Sequence, residues 1–142
     1  MEGTKSITEL AALFKCSTSE LQVSCNFCKR NLKAVEKVLF EKYNLSLRWS
    51  QGKPFGCCRQ CLRLSGQIEF RHYFQRNLLA DEIRASTGAS VRFQQIRCRG
   101  CLKPLTIQEK RRLEKNREFF YLVRGRLRSL CTFCKLSYHA HR

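Results

Sequence analysis

The pairs Cys25-Asn26-Phe27-Cys28 and Cys58-Arg59-Gln60-Cys61 enclose 29 residues, and so do Cys98-Arg99-Gly100-Cys101 and Cys131-Thr132-Phe133-Cys134. Two residues between cysteines let both thiolates turn onto one ion, and two such pairs close a tetrahedral site of four sulfurs. Soft sulfur donors with no open position suit Zn²⁺ in a structural role. The spacing therefore predicts two structural Zn²⁺ ions. One is held by Cys25, Cys28, Cys58 and Cys61, the other by Cys98, Cys101, Cys131 and Cys134. Cys58, rather than its neighbour Cys57, keeps both the two-residue spacing and the long gap. Four unrelated redox or disulfide pairs would have no reason to repeat that gap.

A shift of 73 residues superposes more than cysteines. Leu32, Glu36 and Lys37 fall on Leu105, Glu109 and Lys110, and Gly52 falls on Gly125. The chain is a duplicated module, in which Cys16 and Cys57 have no counterpart. Ser6 with Glu9, Ser17 with Glu20 and Thr106 with Glu109 each read as a helix-opening capping box. Residues 33–43 put Val35, Val38, Leu39 and Tyr43 on one helical face. Segment 106–117 reads as a helix although it is nearly all polar. Leu45 to Trp49 alternates like a strand, and Gly52 and Pro54 turn the chain back. Phe119 to Val123, Arg124-Gly125 and Leu127 to Leu130 repeat that hairpin. Between the modules, Phe70, Phe74 and Leu78 recur every four positions, which suits a helix. The expected fold is small α+β and zinc-binding: two duplicated treble-like four-cysteine zinc modules joined by a linker helix. Its expected parts are an N-terminal helical arm (1–20), a first zinc module (21–63), the linker helix (64–91) and a second zinc module (92–142).

Each half of the chain holds about 70 residues, too few to bury a secure core without a staple. The N-terminal stretch carries Glu2, Lys5 and Glu9 and does not read as a signal peptide. No run of about 18 apolar residues is present, so no membrane partner is expected. Thiols kept reduced in the cytosol or nucleus favour metal over disulfides.

The formal charge is +17, from 28 basic and 11 acidic residues. Eight thiolates around two Zn²⁺ lower it to about +13. The partners should be acidic. From Arg92 to Arg142 there are 14 basic residues and 3 acidic ones, and Arg97, Arg99, Arg124, Arg126 and Arg128 flank the second cysteine set. A guanidinium forks onto phosphate or carboxylate alike. Weak nucleic-acid binding and capture of an acidic peptide both stay open on charge alone. Against the first, there is no C₂H₂ finger signature and no helix lined with arginines for base reading. The sequence shows no glycine-rich phosphate loop, spaced carboxylate pair or three-ligand zinc site, so no enzyme is expected. His139 and His141 read as a solvated tail and His72 as a packing residue. Cys16, Cys57 and the apolar segment 7–14 are the candidates for homodimer contacts.

Two such modules, separated by residues 62 to 97, resemble the papillomavirus early protein 6 family. The shared stretches include Glu36 to Phe40, Gly52-Lys53-Pro54-Phe55, Glu69 to Tyr73, Ile96-Arg97-Cys98, Cys101 to Leu105 and Arg124-Gly125-Arg126. The resemblance implies a viral adaptor oncoprotein without catalysis, acting in the host nucleus and cytoplasm. It implies a pocket for acidic LxxLL helices of host proteins, either a Mastermind-like coactivator of Notch signalling or a HECT-type ubiquitin ligase. Leu45, Leu62 and Ile68 match the family's apolar wall, and Arg71, Arg97, Arg124 and Arg126 match its basic rim. The strand 45–49 and Ser65 differ from ligase-recruiting members, which points to the coactivator and to delayed keratinocyte differentiation. The ending Ala140-His141-Arg142 lacks the family's PDZ-binding pattern, so no PDZ partner is expected.

Overall fold

The computed structural model describes residues 3–140, with side chains through Leu136. The chain divides into two compact units, Met1–Leu62 and Arg63–Arg142. In the first, α1 (Ile7–Leu13) opens on Ser6, whose hydroxyl accepts the Glu9 amide at 3.0 Å. There follow β1 (Ser24–Cys25), α2 (Ala34–Lys42), β2 (Arg48–Ser50) and β3 (Lys53–Gly56). The sheet order is β1-β3-β2, with β1 parallel and β2 antiparallel to β3. Gln51 and Gly52 turn the hairpin with φ of 51° and 76°. Two consecutive positive φ values match the right-handed twist of the strands they join. Then α3 (Arg59–Tyr73) starts inside the second cysteine pair and runs into the second unit.

The second unit continues with β4 (Phe74–Leu78), α4 (Ala80–Thr87), a 3-10 turn at Val91–Phe93, β5 (Arg97–Cys98) and α5 (Ile107–Lys115). It closes with β6 (Phe120–Val123), β7 (Arg126–Ser129) and α6 (Thr132–Ala140). The sheet order is β4-β6-β7-β5. Arg124 and Gly125 turn its hairpin with φ of 51° and 75°, repeating the first. This is the small α+β zinc-binding class. Among the described residues no helix is long and apolar enough to cross a membrane.

The linker 64–91 is not one helix. After Tyr73 the chain passes directly into β4, which pairs antiparallel with β6, Phe74 opposite Val123 and Leu78 opposite Phe120. Phe70 and Phe74 still meet, their ring centroids 5.2 Å apart, but across a helix–strand junction. The open edge of β6 offers ladder hydrogen bonds that override the local helical period. The first unit has a trace of the same pairing, because Leu47 donates to the Lys5 carbonyl at 2.8 Å. Leu47 and Lys5 stand 73 residues before Phe120 and Leu78. Likewise α1 is the counterpart of α4, so the duplication reaches into the N-terminal arm.

Two further expectations change. Ser17 and Glu20 close a turn through Glu20 N and the Ser17 hydroxyl, not a helix. The valines of α2 are exposed, Val35 at 58% and Val38 at 63%, while Lys37 and Phe40 are buried. The reason is the Lys37 ammonium, which donates to the carbonyls of Thr18, Ser19 and Leu21 at 2.9–3.0 Å and so fixes which face of α2 turns inward. Lys110 does the same in α5, donating to Arg92 O at 3.1 Å and Gln94 O at 2.9 Å. This is how a polar helix is held against a core.

The cores correspond position by position. Leu10, Val23, Leu32, Phe40 and Leu47 are buried in the first. Their counterparts Ile83, Ile96, Leu105, Leu113 and Phe120 are buried in the second. Phe40 and Leu47 become Leu113 and Phe120, so the ring and the isobutyl group exchange places while core volume is kept.

Candidate metal centres and their basic surroundings

Each cysteine set converges on a point. The Sγ atoms of Cys25, Cys28, Cys58 and Cys61 lie within 4.8 Å of one another, as do those of Cys98, Cys101, Cys131 and Cys134. A zinc–sulfur bond of about 2.3 Å in a tetrahedron sets sulfurs about 3.8 Å apart. Cys28 and Cys58 are 3.7 Å apart, and Cys101 and Cys131 are 3.9 Å apart. Donor set and spacing both fit Zn²⁺, so the protein carries two structural zinc ions.

The fold supports these thiolates with backbone donors. Amides of Phe27 and Cys61 approach Cys25 and Cys58 sulfurs at 3.5 and 3.4 Å. Gly100 and Cys131 amides approach Cys98 sulfur at 3.3 and 3.4 Å. Such second contacts orient ligands and stabilise their charge. The Arg30 guanidinium, with its amide, pulls Cys28 down to about 6. Cys57 is not drawn in as a ligand. Burial first, then the Cys25 and Cys58 charges, push its thiol up to about 12.

Two carboxylates align the cysteine pairs. Glu36 accepts from the Lys33 amide at 2.9 Å and the Arg59 amide at 2.8 Å. Glu109 accepts from Thr106 N at 2.9 Å and Thr132 N at 2.7 Å. Arg59 and Thr132 lie inside the second cysteine pair of each module, so one side chain joins two helix starts and seats that pair. Burial opposes ionisation, but these amides, helped by the charges of Lys33 and Arg30 at Glu36 and by the Lys103 ammonium 3.3 Å from Glu109, outweigh it and hold both carboxyls below their ordinary range. The Glu and Lys of the repeat are visible in the sequence. Their tasks are not, because the bonded amides and carbonyls are remote along the chain.

Of the residues matched to a peptide pocket, Leu45 is half-buried beside the first core and Leu62 is buried. Both belong to the first unit. In the second, Ile68 is 55% exposed on α3, one turn after Leu64 at 50%, and Arg71 is exposed on the same helix. Arg97 donates to the Leu102 carbonyl at 3.0 Å. Arg97 and Arg126 line one cleft. Arg124 stands apart: its guanidinium stacks on the Tyr73 ring at 3.7 Å. Two arginines acquire clear structural roles. Arg99 stacks on Phe70 at 4.0 Å and Tyr121 at 4.6 Å, and Arg128, nearly buried, pairs with Glu69 at 3.2 Å. His72 is exposed on α3, not packed. The His139 side chain, His141 and the ending expected to exclude PDZ domains lie outside the described residues and side chains.

The family described as Early Protein (E6) matches residues 25–134. Protein E6 of human papillomavirus 25 is 35% identical over 133 residues, covering 94% of this chain and 83% of that protein. Protein E6 of canine oral papillomavirus (strain Y62) is 32% identical over 136 residues, covering 96% of this chain and 93% of that protein. A solution structure of the C-terminal zinc-binding domain of HPV51 oncoprotein E6 is 28% identical, with a TM-score of 0.41, over 50% of this chain and 88% of that one. The family match runs from the first zinc cysteine to the last, over the duplicated sites just described, and the chain belongs to the papillomavirus early protein E6 family.

Proposed function

We propose that the chain is a viral adaptor that captures acidic LxxLL helices of host proteins in the host nucleus and cytoplasm. The favoured target is a Mastermind-like coactivator, whose capture represses Notch signalling and keratinocyte differentiation. One observation carries this reading. The second unit presents exposed Leu64 and Ile68 a helical turn apart on α3, with Arg71 beyond them, and a separate cleft containing Arg97 and Arg126 but no carboxylate. Apolar anchors with basic residues are what an acidic amphipathic helix requires of its receptor. The zinc ions act by holding these elements, not by chemistry on a substrate.

The test is titration of the zinc-loaded protein against two fluorescent LxxLL peptides, one from the coactivator and one from a HECT-type ligase. Tighter binding of the coactivator peptide supports Notch repression. A preference for the ligase peptide moves target degradation ahead of it. Indifference to both, with binding to DNA that falls steeply with salt, would replace the adaptor by a nucleic-acid binder.

A further inference from the structure

Phe93 is the most exposed large apolar residue among the described ones, at 86%. It ends the 3-10 turn Val91–Phe93, which polar side chains of α5 hold in place. The Lys110 ammonium takes the carbonyls of Arg92 and Gln94, on either side of Phe93. One turn further along α5, Glu114 pairs with the Arg92 guanidinium at 3.1 Å. The turn therefore runs along the Lys110–Glu114 edge of the helix. At 3.6 residues per turn, the neighbouring row is Ile107, Arg111 and Lys115. Ile107 is 55% exposed, and Arg111, Arg112 and Lys115 are exposed as well. Those three cations have neither an ion pair nor a side-chain hydrogen bond among the described residues. Both acids of α5 are engaged, Glu109 by the Thr106 and Thr132 amides and Glu114 by Arg92.

The duplication supplies an internal control. In the first unit Lys37 holds the carbonyls of Ser19 and Leu21, on either side of Glu20. Glu20 stands 73 residues before Phe93, and Ala34 and Val38 stand at the places of Ile107 and Arg111. The same clamp thus works with an exposed carboxylate at the projecting position. Neither the turn nor the core requires a ring there. A large ring left in water gains free energy when a partner covers it.

We infer that Phe93, Ile107 and the cations of α5 form a docking face for the anionic headgroup surface of a lipid bilayer. Apolar side chains that project beside cations suit that surface, because the ring and the branched chain enter the headgroup boundary while the ammonium and guanidinium groups stay among the phosphates. Ile107 has no aromatic face for a base to stack on, which disfavours single-stranded nucleic acid. Anionic lipids face the cytoplasmic side of membranes, where three cations on one helix and the basic balance of the whole chain act together. The lack of a spanning helix argues against insertion and does not bear on a face that lies on headgroups.

The experiment is co-sedimentation of the full zinc-loaded chain with two kinds of vesicle. One is phosphatidylcholine alone, the other equal parts phosphatidylcholine and phosphatidylserine. The unsubstituted protein should partition into the anionic vesicles about tenfold or more above the neutral ones. Phe93→Ala should weaken that partition about tenfold, and Phe93→Trp should keep it. Arg111→Ala with Lys115→Ala should weaken it about twentyfold, from about fivefold for each charge. Phe14→Ala, which removes a half-exposed ring from the first unit, should leave it within about twofold. All variants should keep two zinc ions per chain and the parent circular dichroism, since the altered side chains point to solvent. Equal partition into both vesicles, or anionic partition that Phe93→Ala leaves unchanged, overturns the docking face. So does a single-stranded oligonucleotide that binds in a Phe93-dependent way while the anionic vesicles do not.

Discussion

The Glu109 carboxylate accepts a 2.7 Å hydrogen bond from the Thr132 amide, 23 residues further along the chain. Its other oxygen closes the start of its own helix at Thr106. One side chain thus caps two helices and fixes the angle at which Cys131 and Cys134 face Cys98 and Cys101. Loss of a helix cap costs about 1 kcal/mol, so Glu109→Ala should destabilise the zinc-loaded protein by about 2 kcal/mol. Glu109→Gln, which keeps one acceptor, should lose about half of that. Denaturant unfolding with zinc in excess reads both values. A loss within error for Glu109→Ala would mean that water replaces the carboxylate at both amides.

Lys37 and Lys110 should behave as structural cations rather than as part of the basic surface. Burial lowers the affinity of Lys110 for its proton, yet its ammonium has two backbone carbonyls to satisfy. Methionine has nearly the same length and no donor. Each carbonyl stranded in the interior costs about 1–3 kcal/mol. Lys37→Met, which strands three, should be the more damaging change, and Lys110→Met, which strands two, the less. The denaturation midpoints should order them so, with the slope unchanged. The reverse order would show that the carbonyls of Thr18, Ser19 and Leu21 reach solvent once the lysine is gone.

Cys57 and Cys58 are neighbours with opposite expected behaviour. Cys58→Ser should leave one zinc per chain by native mass spectrometry and unfold the first unit. Cys57→Ser should keep two. Chelation of both ions should abolish the native circular dichroism, because the binding free energy of a structural Zn²⁺, about 10–16 kcal/mol, is largely folding free energy in units this small. A Cys57→Ser protein with one zinc would exchange the ligand assignment between the two residues.

The sequence discloses the sites and hairpins more fully than the path between them, and the reason is physical. Ligand spacing is local and discrete: four CxxC pairs and one repeated gap suffice to assemble two sets of four sulfurs. The turns are similarly local, since Gln51-Gly52 and Arg124-Gly125 show their glycines. At Phe74 the chain obeys β6, more than forty residues away, and no local period reports such an edge. The exposed Val35 and Val38 have the same explanation, because the lysine that orients α2 is polar and hydrophobic patterning ignores it. The tie between α1 and α4 is hidden by substitution: the buried positions persist, but Leu10 has become Ile83 and Ile7 has become Ala80.

The exchange of Phe40/Leu47 for Leu113/Phe120 makes a sharper test of how these cores are specified. Phe40→Leu alone removes ring volume and should cost about 1–2 kcal/mol through the cavity left behind. Leu47→Phe alone inserts a ring into a filled space and should cost about 1–3 kcal/mol. The double change gives the first core the arrangement that the second already uses. If total volume at this pair is what the module requires, the double variant should lie within about 1 kcal/mol of the parent, with a favourable coupling energy of about 1–3 kcal/mol. Unfolding curves for the four proteins, all with two zinc ions bound, supply the cycle. Simple addition of the two penalties would instead mean that the neighbours of each core have become fitted to one arrangement alone. Gly56 is such a neighbour: a Cβ there would lie 3.5 Å from the Phe40 ring, and the second unit has Ser129 at the matching position.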